Sequence, residues 1–253
     1  MSGSSVGGEG RPAVTIVVPA HNEAENIALL VDEIAAALKG REPFEAVFVN
    51  DGSTDDTGAV LSRLAASRPW LRQMKHAASC GQSAAIRTGV VSARAPLIVT
   101  LDGDGQNDPA FAPKLLDALM AAGPKVGLVQ GQRARRKGGF KRFQSWIANT
   151  VRGSILRDGT RDTGCGLKAF RRDEFLSLPY FDALHRFTPA LIRREGLAIE
   201  YVDVVDRPRM HGRSHYGMWN RLWIGIVDLA GVFWLIRRRR RMPEVSEVRG
   251  DAR

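Results

Sequence analysis

The chain has 253 residues, which is enough for one large α/β domain and a short appendage. Apolar residues make up 44% and charged residues 25%, a globular composition, and two cysteines are too few for a disulfide framework or a structural zinc site. The net charge of +10 indicates an anionic partner, which is a nucleic acid, an anionic membrane or a phosphorylated substrate.

Apolar, β-rich runs alternate with helical patterns from residue 13 onward. Residues 1–11 precede them and are rich in Gly and Ser, which predicts a disordered terminus with no signal or anchor. The alternation predicts a mostly parallel sheet with helices on its faces, in one domain over residues 12–216. The predicted strands cover residues 13–19, 44–49, 96–101 and 125–130, and the predicted helices cover residues 24–38, 55–66, 83–93 and 109–121.

Three polar loops follow predicted strands, at residues 20–23, 50–53 and 102–106. Ligands of such sheets bind at the carboxyl ends of the strands, so these loops form the candidate site. Asp102 and Asp104 are two residues apart on a segment expected to be extended, which places both carboxylates on one side as a seat for a hard divalent cation. A solvated Asp-Gly turn is the alternative.

Two further acids stand at strand ends. Asp51 directly follows the second predicted strand, where its carboxylate could accept hydrogen bonds from a ribose hydroxyl or a base N–H. The surrounding Asn-Asp-Gly-Ser is also a good turn and helix-start sequence. Glu23 is either a site residue or an acid in the first turn of a helix. The three loops together are stronger evidence for a binding site than any one loop alone.

Together the loops resemble those of the family-two glycosyltransferases, which have the GT-A fold. The resemblance rests on residues 17–23 (VVPAHNE), 50–57 (NDGSTDDT) and 101–109 (LDGDGQNDP), and it is greatest for polyprenol-phosphate sugar synthases such as the dolichol-phosphate mannose synthases. It implies that Asp102 and Asp104 approach the metal and the diphosphate, with Gln106 nearby. It also implies a nucleotide-sugar pocket that is lined by Pro19, Ala20, Glu23 and Asp51.

The second half of the chain also resembles these synthases. An Arg at the start of a basic loop and a basic residue before a Ser hold the acceptor phosphate in that family. The matching residues here are Arg133, Arg142 and Ser145, and the register between Lys141 and Arg142 stays open. A solvated basic loop is the alternative for this segment.

Two more segments carry the resemblance toward the carboxyl terminus. Residues 162–168 resemble a segment that places Asp162 near the sugar, although the usual Ser and Phe are altered here; a turn or cap role is the alternative. Arg209 and Ser214 resemble the closing basic loop that grips the diphosphate. His211 and His215 in that loop do not define a zinc site without further ligands.

These features predict an enzyme that moves a sugar from a GDP- or UDP-sugar to dolichyl or undecaprenyl phosphate, with inversion and with Mg²⁺ or Mn²⁺. A phosphate acceptor is already anionic, so it needs little deprotonation. The predicted catalytic residues are Asp104 at the cation, Arg133 at the acceptor phosphate, and Asp162 to orient the sugar or to act as a base. The alternative is transfer to a hydroxyl of a glycan or glycolipid in cell-envelope synthesis.

Two rival classes are disfavoured. Residues 164–169 match a loose dinucleotide fingerprint, but they do not follow a convincing strand, which argues against a dehydrogenase. No nucleic-acid reading motif is recognisable, so no nucleic-acid partner is predicted. The sequence leaves the oligomeric state open.

The carboxyl-terminal segment predicts an amphipathic helix over residues 217–241 and a flexible tail over 242–253. Residues 222–236 are apolar apart from Asp228, and they are shorter than the roughly 20 residues that cross a bilayer. Aromatic residues on one side and a run of arginines at 237–241 favour a helix lying in the membrane interface, at the cytoplasmic face. A buried terminal helix, a dimer contact and a spanning helix are the alternatives.

Overall fold

The computed structural model describes residues 10–133, 162–208 and 218–238, together with residues 153, 156, 159, 160 and 246. The predicted disordered terminus and flexible tail fall almost wholly outside these residues. The strands are β1 (Val14–Ala20), β2 (Phe44–Asp51), β3 (Leu71–His76), β4 (Leu97–Thr100), β5 (Val126–Arg133), β6 (Lys168–Arg171) and β7 (Ala198–Val204). The α-helices are α1 (Ala24–Ala37), α2 (Thr57–Ala65), α3 (Gln82–Ser92), α4 (Ala112–Ala121), α5 (Arg172–Ser177), α6 (Leu184–Arg194) and α7 (Met218–Arg237), and short 3₁₀ turns cover Pro109–Phe111 and Gly123–Lys125.

These strands form one sheet in the order β3-β2-β1-β4-β6-β5-β7. β1 is parallel to β2 and β4, β2 to β3, and β5 to β7, while β6 runs antiparallel to β4 and β5. Every strand except β6 therefore ends at the same edge of the sheet, and β6 begins there. The predicted α/β class, a mostly parallel central sheet flanked by helices, is confirmed.

Apolar side chains fill both faces of the sheet. β1 and β2 are buried along nearly their whole length, as expected for strands that are covered on both faces. Helices α1 and α4 supply the core on one face, and α3, α5 and α6 supply it on the other. A Cβ on Gly89 of α3 would collide with Val17 of β1, so this helix lies close against the sheet. The first residues of α3 lie at the edge where the strands end, since Gln82 donates a hydrogen bond to Asp102, which follows β4.

The sequence patterns contain no prediction for β3, β6, β7, α5 or α6. β6 has only four residues and α5 only six, which is too short for a period to show. Helix α6 contains Pro189 in its interior, and a proline in a sequence usually indicates the end of a helix. These elements take their places from pairing and packing with segments that are distant in the chain.

Helix α7 lies within the predicted segment 217–241 and is longer than the predicted apolar stretch. Its Val232 is buried and packs, with Leu229 and Ile236, against Phe187 and Ala190 of α6. One side of the helix thus belongs to the protein core, which agrees with the alternative of a buried terminal helix. Among the helices in the described part of the chain, none has both the length and the mean hydropathy that crossing a bilayer requires.

Candidate active site

A cleft of about 610 Å³ opens at the edge of the sheet where the strands end. Residues that the sequence predicts for donor or metal binding line this one cleft, namely Pro19, Ala20, Glu23, Asp51, Asp102 and Asp104. They come from the loops after β1, β2 and β4, which the parallel sheet sets side by side. Asp51 and Asp104, which are distant in sequence, face the same space.

Asp51 ends β2 and is held in place by hydrogen bonds from the end of β3 and from the loop after it. Its carboxylate accepts from His76 Nδ1 at 2.6 Å, Ser79 Oγ at 2.9 Å, Cys80 N at 2.8 Å and Gly81 N at 2.9 Å. Burial opposes ionisation, but these hydrogen bonds outweigh it and hold the pKa of Asp51 below its usual value. The side chain is therefore a fixed, ionised acceptor at one end of the cleft.

Asp51, together with the last residue of β3 and the loop after β3, also provides a group of three residues that could ligate a metal. Among the described residues, Asp51, His76 and Cys80 are the group of three whose ligand atoms lie within 4.8 Å of one another. Both ring nitrogens of His76 already have partners, Asp51 and the hydroxyl of Thr88 at 2.9 Å. Hydrogen bonds to the Asp51 carboxylate therefore account for this cluster.

Hydrogen bonds join the first two sequence motifs, at residues 17–23 and 50–57. Asn22 N donates to Ser53 Oγ at 3.0 Å, and Glu23 N donates to Thr57 Oγ1 at 2.9 Å. The carboxylate of Glu23 accepts from Asn26 Nδ2 at 2.6 Å in the first turn of α1. Glu23 thus fills both roles that its sequence position allowed, because it begins the helix and also lines the cleft.

The segment that carries Asp102 and Asp104 is a turn and not an extended strand, which corrects the sequence prediction. β4 ends at Thr100, and a Cβ on Gly103 would lie 2.7 Å from the carbonyl oxygen of Pro19, so the chain bends tightly against the end of β1. Asp104 Oδ1 then accepts from Gln106 N at 3.1 Å and closes the turn. Both carboxylates nevertheless face the cleft.

Electrostatics favour a cation at this turn. Burial, and after it the charge of Asp104, raises the pKa of Asp102 to about 6, while Lys168 and Arg133 act in the opposite direction. Gln82 Nε2 donates to Asp102 Oδ1 at 2.8 Å and orients the carboxylate. Two acidic side chains that repel each other in a cleft are relieved by a divalent cation, so the residues present fit the predicted metal.

Arg133 and Asp162 lie together beside the cleft. The guanidinium of Arg133, at the end of β5, donates from Nε and Nη2 to both carboxylate oxygens of Asp162, and from Nη1 to Asp206 Oδ2 at 3.0 Å. Gln130 Nε2 also donates to the carbonyl oxygen of Asp162. The predicted phosphate-binding arginine and the predicted base are thus partners in one ion pair. The sequence patterns gave no signal for Asp206, which follows β7.

Residues 15–177, well over half of the chain, match the family model described as glycosyl transferase family 2. This chain is a family-2 glycosyltransferase. The family that the three loop motifs predict is confirmed, and the protein is an enzyme that transfers sugars.

Relatives of this family-2 glycosyltransferase include named synthases of lipid-linked sugars. It is 34% identical over 235 residues to the dodecaprenyl-phosphate galacturonate synthase of Rhizobium johnstonii, covering 90% of this chain and 68% of that protein. It is 30% identical over 208 residues to the undecaprenyl-phosphate 4-deoxy-4-formamido-L-arabinose transferase of Edwardsiella ictaluri, covering 81% of this chain and 63% of that protein. The chain spans about two thirds of the length of these relatives.

Solved structures share the fold. A glucosyl-3-phosphoglycerate synthase from Mycobacterium tuberculosis in complex with phosphoglyceric acid has a TM-score of 0.68 and 20% identity, covering 90% of this chain and 80% of that one. A second structure of that enzyme, with Mn²⁺, UDP and glucosyl-3-phosphoglycerate, has a TM-score of 0.68, 19% identity and the same coverage. These neighbours support the GT-A fold, and the second binds a divalent metal together with UDP.

Four predicted residues of the glycosyltransferase lie outside the described residues. They are Arg142, Ser145, Arg209 and Ser214. Gln106 lies within the described part but does not line the cleft; its carbonyl oxygen accepts from Arg207 N at 2.9 Å. Arg207 also forms ion pairs with Asp108 and Glu33, which tie the end of the Asp102–Asp108 loop to the segment after β7.

The structure adds residues to the cleft that the sequence patterns did not identify. Gln82 contacts Asp102, and Ser83, beside it at the start of α3, contacts His185 at the start of α6. Lys168, the first residue of β6, also lines the cleft. A Cβ on Gly166, two residues earlier, would collide with the Asp102 carboxylate, so this glycine permits the close approach of the two segments. The only sequence signal for these residues is the position of Lys168 at the end of the segment that begins at Asp162.

Proposed function

We propose that this family-2 glycosyltransferase moves a sugar from a nucleotide-sugar to a polyprenyl phosphate, with inversion and with Mg²⁺ or Mn²⁺. The observation that carries the proposal is one cleft lined by Asp51 at one side and by Asp102 and Asp104 in the middle. The two relatives named above act, by their names, on dodecaprenyl and undecaprenyl phosphate. The neighbour with bound Mn²⁺ and UDP supports the metal and a nucleotide donor.

On the donor side, Asp51 is the acceptor for a ribose or base hydrogen, since the loop after β3 keeps it ionised and fixed, with its pKa below the usual value. Asp102 and Asp104 would hold the cation, which offsets the charge of the diphosphate and stabilises it as a leaving group. Pro19, Ala20 and Glu23 form the wall beside the nucleotide. Arg209 and Ser214 remain the proposed closing contacts to the diphosphate, with Gln106 supporting the turn below it.

On the acceptor side, Arg133 is the proposed contact to the lipid phosphate, with Arg142 and Ser145. An anionic phosphate attacks the anomeric carbon directly, so no strong base is required. Asp162 suits a positioning role better than that of a base, because both its oxygens already accept hydrogen bonds from Arg133. Its charge orients the guanidinium beside the cleft.

Sugar transfer to undecaprenyl phosphate is the direct test. Purified protein with a panel of UDP- and GDP-sugars is expected to produce a glycosylated lipid phosphate, and chelation with EDTA is expected to lower the rate by at least about 100-fold. Added Mn²⁺ or Mg²⁺ restores it. Undecaprenol, which has a hydroxyl in place of the phosphate, is the matched acceptor control and is expected to remain unmodified. Transfer to a glycan or glycolipid hydroxyl in place of the phosphate would support the alternative acceptor.

We also propose that α7 holds the enzyme at the membrane surface, at its cytoplasmic face. The side of α7 away from the protein exposes Ile226, Val227 and Trp234, the last to 59%. Asp228 instead interacts electrostatically with Asp182 and Arg186 of the protein body. The helix therefore presents its apolar side to the surroundings, as a helix lying in a membrane interface does.

Replacing Ile226, Val227 and Trp234 with serine is expected to lower binding to anionic vesicles at least about tenfold, because the protein loses apolar area that the membrane interface would bury. Vesicle flotation measures this. The matched control places serine at Leu29, Val91 and Met120, which are similarly exposed but lie on α1, α3 and α4. Equal flotation of both triple variants would show that α7 does not carry the attachment.

A further inference from the structure

Asp102 lies near the middle of the cleft, and one half of the cleft lies on the side of Asp102 that is away from Asp51. The strand order β2-β1-β4-β6 places Lys168, at the start of β6, beyond the β4 loop that carries Asp102. Lys168, Phe170, Phe175, His185, Arg186 and Thr188 line this part, which we call the distal half. If the nucleoside lies at Asp51 and the diphosphate at Asp102 and Asp104, the sugar extends into the distal half. A role of the distal half in choosing the sugar therefore rests on the proposed function.

Lys168 brings a buried positive charge to the distal half. The residue is only 6% exposed, and its ammonium donates one hydrogen bond, to the carbonyl oxygen of Cys165. An ammonium has three protons to donate. The charges of Asp102 and Asp162 attract this one, but neither carboxylate forms a direct ion pair with it. Burial lowers the pKa of Lys168. Because a buried charge without a direct ion pair is costly, an anionic ligand that pairs with this ammonium would be stabilised there.

His185 adds a hydrogen-bond donor of fixed direction. Its backbone N–H donates to Ser83 Oγ at 3.2 Å, and Oγ lies 2.7 Å from His185 Nδ1, the one acceptor among the described residues that the hydroxyl proton of Ser83 meets. We therefore assign the hydroxyl as the donor and Nδ1 as the acceptor. The ring proton is then on Nε2. Burial, together with the charges of Lys168 and Arg186, lowers the pKa of His185 to about 3, which keeps the ring neutral at physiological pH. Nε2–H is left as a donor on a ring that lines the cleft.

We infer that the distal half is a sugar subsite that selects a hexuronic acid, whose carboxylate pairs with Lys168 and accepts a hydrogen bond from His185 Nε2. A neutral hexose presents only a hydroxyl there and would leave the ammonium without a direct ion pair. Of the two acids that attract the ammonium, Asp162 is paired with Arg133, and Asp102 would share its charge with the proposed cation. Arg186 also lines the distal half and adds positive potential, which Asp228 of α7 partly offsets.

The test compares nucleotide-sugars that differ only at C6. The pairs are UDP-galacturonic acid with UDP-galactose, UDP-glucuronic acid with UDP-glucose, and GDP-mannuronic acid with GDP-mannose, each with undecaprenyl phosphate. In one of these pairs the uronic acid is expected to have a kcat/KM at least about 100-fold above that of the hexose, since a buried charge left unpaired discriminates strongly. Comparable or higher kcat/KM for the hexoses would overturn the inference while the proposed function stands. Absence of transfer from every donor would overturn the proposed function itself.

Variants at Lys168 and His185 test whether these residues cause the preference for the uronic acid. Lys168→Met is expected to reduce the uronic-acid preference to less than about tenfold, whereas Lys168→Arg, which keeps the charge, retains most of it. Lys114→Met, on the exposed side of α4, is the matched control and keeps the full preference. If Lys168→Met does not fold, His185→Phe provides the second measurement, with a selective loss of kcat/KM for the uronic acid. A preference unchanged in every folded variant at Lys168 and His185 would count against the subsite.

Discussion

Replacing Asp104 with alanine is expected to lower the rate of sugar transfer by roughly 100- to 1,000-fold, because the diphosphate leaving group would lose the proposed cation that offsets its charge. Asp104 faces the cleft beside Asp102, and the two carboxylates are the residues that fit a divalent metal. The measurement is kcat/KM for the donor over a titration of Mn²⁺. The variant is expected to need a higher Mn²⁺ concentration for half of its residual rate.

The control for this experiment is Asp173→Ala, which removes the same charge from a side chain that is 93% exposed on α5. It is expected to transfer sugar at the rate of the unmodified enzyme. Thermal melting of both variants checks that they fold. Full activity in a folded Asp104→Ala protein would remove the metal-site assignment and, with it, the main support for a metal-dependent mechanism.

Replacing Arg133 with methionine is expected to lower the free energy of unfolding by about 3 kcal/mol, because the substitution leaves Asp162 and Asp206 without the guanidinium that bridges them. The side chains of both acids are largely buried, so water compensates for little of the lost interaction. For a domain of this size, the melting temperature is expected to fall by roughly 6 to 12 °C. Calorimetry or thermal unfolding followed by circular dichroism measures the change.

Arg41→Met serves as the comparison, since Arg41 pairs with Asp117 on the surface and such pairs contribute about 1 kcal/mol or less. A double variant, Arg133→Met with Asp162→Asn, is expected to recover part of the loss, because one of the stranded charges is removed. A melting temperature for Arg133→Met that matches that of Arg41→Met would show that the pairing with Asp162 and Asp206 contributes little to stability. The acceptor role of Arg133 would then be its main contribution.

The cleft follows from the arrangement of the sheet. β2, β4 and β6 bring Asp51, Asp102 and Lys168 to the same edge, so a ligand that extends along the cleft meets a fixed acceptor, the proposed cation site and a buried ammonium in turn. The order matches a nucleoside, a diphosphate and a sugar. Arg133 and Asp206, at the ends of β5 and β7, stand on the side of β6 away from β4.

The parallel strands and the acidic loops after them were predictable from local sequence. β1 and β2 are continuous apolar runs because both faces of each strand are buried, and such runs are visible without any knowledge of the fold. In a parallel sheet the strand ends share an edge, so the convergence of Asp51 with Asp102 and Asp104 was predictable from the element pattern and the three motifs. The helix boundaries were predicted less accurately; α2, for example, begins at Thr57 and not at residue 55.

Only the tertiary structure decided which groups surround these carboxylates. The bend at Gly103 depends on contact with Pro19, the orientation of Asp51 depends on the loop that contains Ser79, and the ion pair of Arg133 with Asp162 depends on the position of β6. Each involves residues that are distant in the chain, and periodicity carries no information over that distance. β6 joins the sheet between β4 and β5 in the antiparallel direction, and this long-range pairing brings Lys168 beside Asp102.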